Sequence, residues 1–110
     1  MKVGFLVDPV AKTVVEVGFD GYIWPMLEMI DATMPDCVTI NESMDTMYLD
    51  RYASQAPRFR FDGKPHIGKA LLVGIKVTET CGHNHEKGGC WLVEPRPVIN
   101  YDDFKKRIKF

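Results

Sequence analysis

Lys69-Ala-Leu-Leu-Val-Gly-Ile-Lys-Val77 is the longest apolar run in the chain. A short, unbroken apolar run reads as a strand buried on both faces. Gly74 inside it marks a bulge or a close approach of another backbone. The run opens into Cys81-Gly-His-Asn-His-Glu-Lys-Gly-Gly-Cys90, which holds two of the three cysteines and two of the three histidines. Beyond it, Cys90-Trp-Leu-Val93 can pair back as a hairpin partner, ended by Pro95 and Pro97.

Upstream, Arg58-Phe-Arg-Phe61 alternates strictly, as a half-buried strand with both arginines in water does. Asp62-Gly-Lys-Pro65 is a turn, and His66 is read as an exposed side chain. Cys37 to Glu42 and Thr46 to Leu49 read as two strands joined by a turn at Ser43-Met-Asp45, with Cys37 as a small core residue. Val3 to Val7 and Thr13 to Phe19 form an N-terminal hairpin, with Val15, Val17 and Phe19 on one face. Between the hairpins, Ile23, Met26, Leu27 and Ile30 fall on one helical face, with Pro25 in the first turn. Tyr22, Trp24 and Met29 widen that apolar surface, which reads either as a helix lying in a deep sheet groove or, in part, as a partner-binding face. Trp24, Met26, Leu27 and Ile30 are assigned to the core or to the seam of a homodimer. Asn100 caps a terminal helix whose Tyr101, Phe104 and Ile108 share a face, with acids in the first turn and bases in the last. The expected fold is α+β: a single domain, residues 1–110, with an antiparallel sheet of about six strands. Helix 22–31 packs on one face, and a C-terminal helix covers 101–108.

Composition bounds the function. The chain has 110 residues, 45% hydrophobic and 26% charged, with a formal net charge of −1. That charge gives no extended basic surface for nucleic acid. No run approaches the roughly 18 apolar residues of a membrane span. Met1 to Val7 begins like a signal peptide, but Asp8 cuts the apolar region short. Three cysteines without an export signal argue for reduced thiols or metal binding.

Cys81, His83, His85 and Cys90 are the candidate metal ligands. Two thiolates and two imidazoles suit tetrahedral zinc, and closed coordination means a structural role. Gly88-Gly89 lets the chain fold back toward Cys90. One residue between ligands is tighter than the usual finger spacing. A solvated loop with reduced thiols and a Cys81–Cys90 disulfide therefore remain open beside zinc. No phosphate-binding glycine loop and no nucleophile elbow is present. Asp8, Glu16, Asp20 and Asp31 are scattered acids, and Arg58 and Arg60 beside Phe59 and Phe61 form the one stretch resembling a base-stacking platform.

The order Val17-Gly-Phe-Asp-Gly-Tyr22, Ile23-Trp-Pro-Met-Leu27, Thr46-Met-Tyr-Leu-Asp50 and Ile67-Gly-Lys-Ala-Leu-Leu-Val-Gly74 resembles a family of small proteins of tailed bacteriophages, a domain of unknown function. The resemblance covers residues 1–77, and the Cys/His loop departs from it. It implies no catalytic residue and no cofactor. It implies expression in the host cytoplasm, where short accessory proteins act by binding host factors. With no catalytic constellation in the sequence and an excess of aromatic and Met surface on the first helix, the expected function is a non-enzymatic accessory protein that binds a host protein or a small ligand. The alternative is a metal-binding protein, or metal-dependent enzyme, using the loop at 81–90.

Overall fold

The computed structural model describes residues 1–53, 57–78 and 90–110, without the side chains of residues 23, 24, 77, 78, 90 and 91. Among the described residues it is mostly antiparallel sheet with two short helices. The strands are β1 (Lys2–Asp8), β2 (Thr13–Phe19), β3 (Pro35–Thr39), β4 (Thr46–Asp50), β5 (Arg58–Phe61), β6 (Lys64–Ile67), β7 (Ala70–Val73), β8 (Ile75–Thr78), β9 (Cys90–Val93) and β10 (Ile108–Lys109). Helix α1 covers Ile23–Met29 and α2 covers Tyr101–Lys106. The strands form a five-stranded sheet in the order β2-β1-β7-β4-β3, a three-stranded sheet β10-β5-β6, and the pair β8-β9. The sequence reading of one sheet of about six strands is therefore corrected to three sheets.

The central strand is what its composition demands. All four residues of β7 are buried. Ala70 and Leu72 join Phe5, Val7, Met47, Leu49, Phe59, Phe61, Phe104 and Ile108 in one core cluster. Leu71 and Val73 join Phe19, Met26, Ile30 and Ile75 in another. Alternate side chains of a strand point to opposite faces, so one four-residue strand serves both cores. Rings bridge the first cluster: Phe104 lies 5.9 Å from Phe5 and 5.7 Å from Phe61, centroid to centroid.

Gly74 divides the apolar run into β7 and β8. A Cβ there would lie 2.6 Å from the Arg96 carbonyl oxygen. This is the close backbone approach that the glycine signals. Glu94 N–H donates to the Gly74 carbonyl at 2.8 Å, and Val3 N–H donates to the Pro95 carbonyl at 2.8 Å. The chain leaves the large sheet at this point and pairs with β9, Thr78 standing opposite Cys90.

Other details depart from the sequence reading. The strand read at 37–42 is Pro35–Thr39. Cys37, read as core, is exposed, because β3 is the sheet's edge and neither core cluster includes a β3 residue. The terminal helix stops at Lys106; Ile108 reaches the core instead by pairing with Phe61 as a strand. Phe59 and Phe61 are 1% and 6% exposed, so they offer no stacking platform.

Asp45, read as a turn residue, is fully buried. One side-chain oxygen accepts from Val98 N–H at 2.9 Å. The other accepts from Ile99 N–H at 2.7 Å and from Asn41 Nδ2 at 2.8 Å. Asn100, the next residue along, caps α2 by accepting from Asp103 N–H at 2.8 Å. Asp45 thus fixes the approach of the chain to α2. Asp45→Ala leaves part-buried donors without acceptors, and we expect it to cost about 3 kcal/mol. Asp45→Asn, which keeps one acceptor oxygen, should cost less. Denaturant melts of the two variants check the order, and equal costs for both would contradict it.

Candidate functional site

Among the described residues the large sheet ends on one side at β3 and the three-stranded sheet at β6, neither with a further strand paired to it. Two hollows lie between these edges. One, of about 190 Å³, is lined by Val38, Ile40, Met47, Phe61, Lys64 and Arg107 among others. The second, of about 320 Å³, is lined by Asp36, Val38, Leu49, Asp50, Pro65 and Ile67 among others. Val38 and His66 line both, so the hollows form one groove.

The hydrogen-bond phase of β3 decides what its edge presents. Ile40 N–H donates to the Asp45 carbonyl, and Arg51 N–H donates to the Met34 carbonyl. Both are contacts with the β4 side, and both involve even-numbered residues of the β3 segment. Backbone polar groups alternate sides along a strand, so those of Pro35, Cys37 and Thr39 point outward. Pro35 has no N–H, and Asp36 Oδ1 accepts from Cys37 N–H at 3.0 Å. The free edge therefore offers three carbonyls and the Thr39 N–H. On β6, Gly68 N–H donates to the Pro57 carbonyl, so Pro65 and Ile67 carry the outward groups. Proline stands at the position where an N–H would have faced out, a usual site for it on an edge.

Charge is divided along the groove. Asp36 and Asp50 line the larger hollow with no lysine or arginine among its lining residues. Each uses one oxygen for a backbone N–H, Asp50 for that of Tyr52 at 3.2 Å. At the other end, Arg107 Nε donates to Asp62 Oδ1 at 2.9 Å, and the guanidinium holds the Asp62 carboxyl below its ordinary range. That guanidinium also lies 4.5 Å from the Phe61 ring centroid. His66 joins the two ends. Its ring is 5.4 Å from that of Phe59, its cross-strand partner. Burial, and then nearby Lys64, push its pKa below 6.5. On the opposite face, burial pushes the Tyr48 phenol up, and Cys37 directly across the strand pair adds to the shift.

The residues singled out from sequence fall elsewhere. Cys81, His83 and His85 lie outside the described residues, and Cys90 is the first residue of β9. Among the described residues no cluster of His, Cys, Asp or Glu is arranged to hold a metal. Tyr22 is 69% exposed, Met29 packs against the second core cluster, and the Trp24 side chain is outside the description. Asp8 Oδ1 accepts from Val10 N–H in the first hairpin turn, Glu16 pairs with Arg96 and Asp31 with Lys69. The groove was missed because its parts come from four separated segments. The one local signal was Pro65 within a short strand-like run, which reads as an edge.

No family model matches the chain, and no curated protein and no solved structure matches it. No helix among the described residues is long and apolar enough to cross a membrane.

A His pKa depressed in the folded state means that the unfolded chain binds more protons below 6.5. Stability associated with His66 is then fully present above that value and falls as pH drops through it. NMR titration should give a His66 pKa below 6.5. Lys64→Ala should raise it only part of the way, because burial is the larger cause. Complete restoration would show that the lysine, and not burial, sets the shift.

Proposed function

We propose that this protein works by binding and that the β3/β6 groove receives a short extended segment of a partner protein. The observation that carries the reading is the free edge of β3, with three outward carbonyls beside two hollows. A strand added to an edge gains affinity from backbone hydrogen bonds and specificity from pockets for alternate side chains. An acceptor-rich edge favours a segment that brings donors. Asp36 and Asp50, without a lysine or arginine in their hollow, favour a basic side chain there. Resemblance to tailed-phage proteins supports a host protein as that partner, and an accessory role in the host cytoplasm. Exposed Tyr22 supports a second contact surface beside α1. A second copy of the chain, forming a homodimer through β3, is the competing occupant.

A random peptide library displayed against the full chain provides the test. Selected peptides should be extended and carry lysine or arginine. Thr39→Pro removes the outward N–H while sparing the ladder to β4, so binding should weaken with the melting midpoint unchanged. Asp36→Asn should weaken basic peptides by about threefold to fivefold, an effect that shrinks with added salt. Peptides that bind both variants as tightly as the parent would place the site elsewhere. A concentration-dependent dimer abolished by Thr39→Pro would favour self-pairing.

The second reading is zinc held by Cys81, His83, His85 and Cys90. It is supported by the Thr78↔Cys90 register, which sets Cys90 opposite a residue three positions before Cys81. Elemental analysis of untagged protein should then find about one zinc per chain, lost as pH falls, because the ligands must shed protons to bind. Substoichiometric metal would sink this reading, and thiol titration would then separate free cysteines from a Cys81–Cys90 disulfide.

A further inference from the structure

The outer face of the three-stranded sheet carries a different signal, and Pro65 lines both its hollow and the groove. Arg58 and Arg60 alternate outward from β5, opposite in sense to buried Phe59 and Phe61. Lys109 of β10 is the direct cross-strand partner of Arg60, just as Ile108 is of Phe61. Directly paired side chains share a face, with Cβ atoms about 5 Å apart. Arg58 stands about 7 Å further along the same strand. On β6 the residues of this face are Pro65 and Ile67. No residue of the face is acidic. The ion pairs among the described residues join Lys69 to Asp31, Arg96 to Glu16 and Arg107 to Asp62, and none uses these three cations.

Like charges placed directly opposite destabilise a strand pair. Here the pair is Arg60 and Lys109, in a two-residue strand whose one buried side chain is Ile108. The cations also surround a concavity. Arg58, Arg60 and Lys109, with Phe59, Pro65 and Phe110, line a hollow of about 290 Å³. Phe110 is 48% exposed, a large apolar surface beside the charges.

We propose that this hollow is a binding site for a small phosphate-bearing anion with an apolar or aromatic part. The two guanidiniums offer planar donor forks suited to phosphate oxygens, and the ammonium adds a point charge. The Phe110 ring supplies a surface for the rest of the ligand. The hollow is of small-ligand size. A nucleic-acid backbone is the poorer candidate, because three cations on a chain of net charge −1 make a spot and not a track.

The test is NMR titration of the full chain with inorganic phosphate, phenyl phosphate and a single-stranded oligonucleotide. Saturable shifts are expected at Arg58, Arg60, Lys109 and Phe110, with phenyl phosphate bound more tightly than inorganic phosphate. Arg60→Gln and Lys109→Gln should each weaken phenyl phosphate roughly fivefold to tenfold. Arg60→Lys, which keeps the charge and loses the fork, should fall between parent and Arg60→Gln. Arg60→Lys should melt with the parent, and the two glutamine variants with it or slightly above it, since each relieves the like-charge pair of Arg60 and Lys109. The proposal is overturned if the shifts do not saturate or if the glutamine variants bind like the parent. It is also overturned if the oligonucleotide binds with a steep salt dependence while phenyl phosphate does not.

Discussion

Two hydrogen bonds to one buried side chain tie the β3–β4 hairpin to the segment that delivers α2. Asp45 sits at the start of β4, in the hairpin that ends the large sheet. The backbone N–H groups it receives, those of Val98 and Ile99, belong to the segment that delivers α2. Two residues downstream of Ile99, Tyr101 lies edge-on to Phe5 at 5.6 Å and donates its hydroxyl to the Val14 carbonyl. Phe104 then inserts between Phe5 and Phe61. Without Asp45 the part-buried N–H groups of Val98 and Ile99 would lose their acceptor. The aromatic layer between the two sheets would lose its anchor.

The same economy explains what was legible from sequence. The run at 70–73 reads as a strand covered on both faces, which it is, and of the bulge or close approach that Gly74 signals the structure has the close approach. The first hairpin, the cap at Asn100 and the wet arginines of β5 were equally readable, since each depends on local pattern. Asp45 was not. In sequence it looks like any turn acid after Ser43 and Met44, because its partners lie 53 and 54 positions away. Division into three sheets was hidden for a similar reason. Ile108 satisfies a helical spacing with Phe104, yet its burial comes from pairing with Phe61.

Edges were the least legible feature. Val38 and Thr39 are β-branched and Cys37 is a residue usually found inside, so the local composition says buried strand. Whether a strand has a neighbour on its far side is a property of topology, and among the described residues β3 has none. The local chemistry nevertheless manages that exposure. Pro35 removes one donor, Asp36 occupies another, and the strand is five residues long. These are the devices by which natural sheets resist pairing indiscriminately. What remains is an edge that accepts more than it donates, which excludes most strands and selects among the rest.

The small sheet shows how one register separates two chemistries. In β5 and β6 the inward positions are Phe59, Phe61 and His66, and the outward ones are Arg58, Arg60 and Pro65. A slip of one residue would exchange the sets, putting guanidiniums into the aromatic layer and phenyl rings into water. Burying unpaired charge costs far more than any gain on the outside, so the register has no near competitor. That register lets the sheet present a half-buried histidine with a lowered pKa to one groove and three cations to the opposite face. The overall charge of −1 sums 14 bases and 15 acids over the whole chain, and the groove itself holds Lys64 and Arg107 beside its acids. Net charge bounds the extent of any basic surface, and the two-residue alternation of the strands says which face carries its cations.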